Sequence, residues 1–103
     1  MSLLVQNPSK LQKIEFDDGS WIKIPANLTF EMQQQFTPKN NDVDLRDVNQ
    51  KILEAMIKEW SEVDEAGQPI PVTPENIRKM NLVAVAKVLG KVHELMGLTT
   101  TNL

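Results

Sequence analysis

The chain has 103 residues, 41% of them hydrophobic and 24% charged, which fits one small globular domain with a modest core. It holds no cysteine, so disulfides, thiolate metal sites and a cysteine nucleophile are excluded, and a reducing compartment suits it. Formal net charge is −3, and the 11 Lys and Arg residues are scattered from Lys10 to Lys91 instead of lining one face, which argues against nucleic acid as a partner.

The N-terminal segment MSLLVQNPSK has a short apolar run with no basic lead and no long apolar stretch, so it reads as neither signal peptide nor membrane anchor. Residues 1–10 are expected to trail as a flexible N-terminus and residues 98–103 to fray as a flexible C-terminus, flanking a single α+β domain over residues 11–97. Residues 11–24, LQKIEFDDGSWIKI, predict a β-hairpin, because two runs of alternating apolar residues flank an Asp-Gly turn signal. A two-residue loop would set Ile14 against Lys23 and Glu15 against Ile22. A three-residue loop, Asp17-Asp18-Gly19 with Gly19 in the left-handed region, pairs Ile14 with Ile22 and places Phe16 and Ile24 on the same side. The second register is the expected one, with Glu15 near Trp21 and a like-charge pair, Lys13 and Lys23, on the outer face.

Pro25 ends the second strand, and Thr29 is a good N-cap for a short helix through Phe36, with Leu28, Met32 and Phe36 spaced by four. Thr37-Pro38 stops it and Lys39 to Asp42 read as a loop. Asp44 and Asp47 begin a longer helix whose stripe of Leu45, Val48, Ile52, Met56 and Trp60 is widened by Leu53 and Ile57. Asp47 with Lys51, and Glu54 with Lys58, are spaced for i,i+4 ion pairs. The segment WSEVDEAGQPIPVTPENIRKM then reads as a connector of fixed geometry. Gly67 makes a tight turn, Pro69 and Pro71 hold an extended chain, and Thr73 with Pro74 opens a helix whose Ile77 and Met80 face inward. Asn81 caps the last helix, LVAVAKVLGKVHELMG, whose all-round apolarity predicts the centre of the core. Ala84, Ala86 and Gly90 would let neighbouring backbones approach there, and Gly97 would end the helix. The expected fold is therefore α+β, a small N-terminal β-hairpin packed on a bundle of three to four α-helices.

No residue pattern points to chemistry. His93 is the only histidine and lacks the second histidine a helical zinc site needs. Asn40 to Asp44 lack the glycine and the bidentate glutamate of a calcium loop. The serines sit in tails, turns and helix ends without a base, and each glycine stands alone, so neither a nucleophile elbow nor a phosphate loop is present. Glu59, Glu62, Asp64 and Glu65 read as a solvated acidic helix end. The expectation is a protein that is no enzyme and takes no cofactor. Its candidate partner-binding residues are Trp21, Trp60, Ile70 and Val72. Trp60 continues the apolar stripe of its helix and is expected to pack at least partly in the core. Trp21 points away from Ile22 and Ile24, toward a partner or a covering loop.

The order of these elements resembles the tail assembly chaperones of long-tailed phages: an apolar-D-G-apolar hairpin (Ile14 to Ile24), a short helix after Leu28-Thr29, a longer helix from Asp44 ending in Trp60, a G-x-P-I-P-V-T-P-E connector (Gly67 to Glu75), and a final helix to Met96. The resemblance implies a non-enzymatic assembly factor in the cytoplasm of the bacterial host. It would bind the tape-measure protein and help recruit tail-tube subunits; the scattered charge and the lack of a long apolar run separately lead to the expectation of neither nucleic acid nor membrane as a partner. A homo-oligomer would add stability to so small a domain. A virion structural or head-to-tail adaptor protein could use the same surface, and a small regulatory protein is the further alternative, against which the scattered charge counts.

Overall fold

In the computed structural model, which describes residues 3–35 and 45–97 (for 45 and 46 the backbone alone), the chain pairs β1 (Leu11–Glu15) with β2 (Trp21–Pro25) as an antiparallel hairpin. Ile14 stands opposite Ile22 and Lys13 opposite Lys23, the register of a three-residue loop. The Phe16 N–H donates to the Ser20 carbonyl at 2.9 Å across that loop, and Gly19 lies at φ 90°. Side chains alternate along a strand, so Ile14, Ile22 and Ile24 fall on one face, and all three are buried.

After Pro25 a short helix, α1 (Phe30–Gln34), starts at Thr29, whose hydroxyl accepts the Met32 N–H at 3.1 Å. It buries none of its own residues, and Phe30 is exposed; only Leu28, ahead of it, packs on the core. The expected roles of Phe36, the Thr37-Pro38 stop, the 39–42 loop, Asp44 and the Leu45 side chain lie outside the described residues, as do residues 98–103. The longer helix, α2 (Leu45–Met56), buries Ile52, Leu53 and Met56, with Ile57 just beyond its end.

Here the structure corrects the sequence reading. Trp60 does not end this helix; it belongs to β3 (Glu59–Trp60), which runs antiparallel to β2 with Trp60 opposite Ile22. The Lys58 N–H donates to the Lys23 carbonyl at 2.9 Å and the Ser61 N–H to the Trp21 carbonyl at 3.0 Å. The free edge of β2 thus offers backbone partners to residues 58–61, and Trp60 reaches the core from a strand instead of a helix face. Lys58 has left the helix, so its expected i,i+4 relation to Glu54 disappears. The hairpin is thereby enlarged to a three-stranded sheet in the order β1-β2-β3.

The connector turns as expected. The Gly67 N–H donates to the Asp64 carbonyl at 2.9 Å with Gly67 at φ 81°, and the Asp64 carboxylate accepts the Ala66 and Gln68 N–H groups at 2.9 and 3.0 Å. The returning arm is tied by the Ile70 N–H to the Glu62 carbonyl at 3.0 Å and by a bridge between Val63 and Pro69. Thr73 caps the single-turn helix α3 (Pro74–Ile77), accepting the Asn76 N–H at 3.2 Å, with Pro74 in the first turn, where no N–H is needed. Asn81 caps α4 (Leu82–Leu95) by accepting the Val83 N–H at 2.9 Å, and Gly97 follows its end at φ 79°.

The core joins Ile14, Ile22 and Ile24 of the sheet to the α2 residues and Ile57, to Ile77, and to Val88 and Val92 of α4. Both α3 and α4 pack against α2. The fold is α+β, yet α4 is not its all-round buried centre. Val88 and Val92 are its two buried residues, while Leu82 and Val83 are 79% and 76% exposed. Among the described residues, nothing lies within 4 Å of where a Cβ at Gly90 would stand, so none of their backbones approaches it. α2 packs on one side of α4, while Leu82, Val83, Ala86, Lys87, Gly90, His93 and Glu94 are exposed. Among the described residues, no helix is long and apolar enough to cross a membrane.

Candidate partner-binding groove

The hairpin tip, the arm after β3 and the junction of α3 with α4 enclose an open cleft of about 920 Å³. Phe16, Ile22, Trp60, Ile70, Met80 and Val83 give it an apolar lining. Charged residues come from each wall: Asp17 and Asp18 from the hairpin tip, Glu62 from the arm, Lys79 and Lys87 from the helices, all of them exposed.

Each wall is positioned by local chemistry. Trp60 is half-buried, and its indole N–H donates to the Ile70 carbonyl at 2.6 Å, pinning the returning arm beside the sheet. The Trp21 N–H donates to the Ser61 hydroxyl at 2.9 Å, which ties the β2–β3 junction. On the outer face, the ammonium groups of Lys13 and Lys23 lie 5.3 and 5.2 Å from the centre of the Trp21 ring. Two like charges placed opposite each other repel, and sharing one aromatic ring offsets that cost, each contact contributing about 0.5–1 kcal/mol at an exposed site. One end of the groove is fixed by Lys87, whose ammonium sits 4.9 Å from the centre of the Phe16 ring and donates to the Glu15 carbonyl. At the hairpin tip the Asp18 carboxylate accepts the Ser20 hydroxyl and the Ser20 N–H. These bonds to the charged form, the hydroxyl's first, hold its pKa below the ordinary value.

Three of the four candidate residues meet in this groove: Trp21, Trp60 and Ile70 line it. Val72 does not; it is half-buried against the core. Sequence reasoning missed Met80, Val83 and Lys79 as lining. The available signal is the apolar excess of α4, more than one buried face takes up, with Leu82 and Val83 directly after the capping Asn81. His93 is exposed on the last turn of α4, and Lys91 pairs with Glu94 at 3.3 Å. The serine hydroxyls of Ser9 and Ser20 donate to neighbouring side chains in turns. Among the described residues, no group of three or more His, Asp or Glu could hold a metal ion; the Asn40 to Asp44 segment lies outside them.

Among the described residues, the polar groups at the groove are turn bonds, helix caps and charged side chains around an apolar lining. Compared with protein-family models, with curated proteins and with solved structures, the chain matches none.

Proposed function

We propose that the protein is a non-enzymatic tail assembly chaperone of a long-tailed phage, binding the tape-measure protein in the bacterial cytoplasm and aiding the recruitment of tail-tube subunits. The observation that carries this reading is the open apolar groove in which Trp21, Trp60 and Ile70 meet, rimmed by charge. Small domains that hold a long partner need apolar surface that is confined by polar edges, so that it docks without aggregating. The resemblance supports the phage assignment through the Asp-Gly hairpin, Leu28-Thr29 and the Gly67 to Glu75 connector. Its helix-to-Trp60 element does not stand, since Trp60 lies in β3.

Co-expression with the tape-measure protein of the same phage tests the reading. The expected result is soluble recovery and co-purification of the tape measure, with this protein absent from finished virions. Failure to bind, together with stoichiometric presence in purified particles, would replace the chaperone by a virion structural or head-to-tail adaptor protein.

A further inference from the structure

Many backbone groups along the groove are already bonded. The Phe16 N–H and carbonyl are taken by Ser20 and Gly19, and the Ile70 N–H and carbonyl by Glu62 and the Trp60 indole. The Ser20, Asn76 and Val83 N–H groups are bonded to the side chains of Asp18, Thr73 and Asn81, and those of Lys79 and Met80 close the last turn of α3. A strand entering the cleft would bring unmatched N–H and C=O groups into an apolar lining that offers few partners, at a cost of about 1–3 kcal/mol for each group left unsatisfied. A helix satisfies its backbone internally and presents only side chains.

Charge narrows the occupant further. Asp17 and Asp18 of the hairpin tip and Glu62 of the arm after β3 line the groove together with Lys79 from the α3–α4 junction, and none of the four makes an ion pair among the described residues. From these observations we infer that the groove docks an amphipathic α-helix of a partner protein, with apolar residues at i, i+4 and i+7 on the lining, Lys or Arg on one flank and Glu or Asp on the other. The inference rests on the binding role proposed above and adds the form and charge pattern of what is bound. Val83 of α4 and Ile70 of the arm are apolar contacts of the lining, and the Trp60 indole is bonded to the arm at Ile70. Glu62 and Lys79 select the flanks.

The probe is a Trp-free, helix-stapled peptide of about four turns with Leu at the stripe positions, made with one Lys and one Glu flank, with two Glu flanks, or with two Lys flanks. Both tryptophans of the protein line the groove, so its intrinsic fluorescence reports occupancy directly. The mixed-flank peptide is expected to bind most tightly. Val83→Asp, at an exposed position in the first turn of α4 where a carboxylate suits the helix dipole, should weaken it by about tenfold or more. Phe30→Asp, equally exposed but away from the groove, should leave it unchanged. No fluorescence change with any peptide, or equal affinity for the Val83→Asp variant, would overturn the inference. So would sedimentation showing a dimer that Val83→Asp dissociates, since the occupant would then be a second copy of this chain. Tape-measure co-purification that survives Val83→Asp would overturn the groove and leave the chaperone reading standing. Peptide binding without tape-measure binding would do the reverse.

Discussion

At Gly19 the backbone takes φ 90°, and the space a Cβ would enter is empty, so the obstacle to a side chain there is conformational and not steric. Gly19→Val is expected to destabilise the protein by about 1 kcal/mol or more, because a β-branched residue is strained in the left-handed region. Gly90, by contrast, lies in the interior of α4 with open space around it, and Gly90→Ala should stabilise by about 0.4–1 kcal/mol. Chemical denaturation of both variants checks the pair; midpoints that move in the same direction would refute it. The neighbouring Asp18 makes a pH prediction. Its folded-state pKa is lowered, so its stabilising contribution is present above the ordinary carboxylate pKa and is lost as pH falls through the lowered folded value. Asp18→Asn should therefore flatten the acid limb of the stability profile while leaving the profile's shape above pH about 6 unaltered. An unchanged acid limb would show that the bonds to Ser20 do not matter to folding.

Among the elements, α2 and the sheet carry the core, and α4 contributes one face. Met56 is fully buried at the end of α2, so Met56→Ala should cost about 2–5 kcal/mol, whereas Leu82→Gln at the exposed start of α4 should stay within about 0.5 kcal/mol of the parent. Equal thermal midpoints for the two variants would mean that α4 is seated the other way round. The hairpin register was legible in the sequence because alternation and the turn residue agree: only the three-residue loop puts Ile14, Ile22 and Ile24 on one face. The caps at Thr29, Thr73 and Asn81 were legible because each is a local bond between a side chain and an N–H two or three residues on. What escaped was non-local. Trp60 follows Met56 by four residues, a spacing that suits a helix, and nothing nearby announces that residues 58–61 will join the edge of β2, with Trp60 opposite Ile22 and Glu59 opposite Lys23. The apolar run of α4 likewise gives no local sign of which of its faces lacks a neighbour, so the Val83 wall of the groove could not be read from it.

For the molecule as a whole, the small size sets the energetics. A domain of 103 residues buries only about two-thirds of the surface its unfolded chain exposes, which leaves a net stability of roughly 5–15 kcal/mol. Binding to the folded state then contributes a large fraction of the total. A partner present at 100 times its dissociation constant adds about 2.7 kcal/mol, and for a chain of this length that corresponds to a rise in thermal midpoint on the order of 10 °C. If the tape-measure protein is the partner and the groove is where it docks, an excess of its binding segment should raise the midpoint of the wild type by about that amount. The Val83→Asp variant should melt close to the wild type alone, since the substituted side chain is exposed, and should lose most of the shift. Differential scanning of the four samples separates the contributions to the midpoint. A full shift in the variant would place the contact elsewhere on the protein, and no shift in either would remove the tape-measure protein as a ligand.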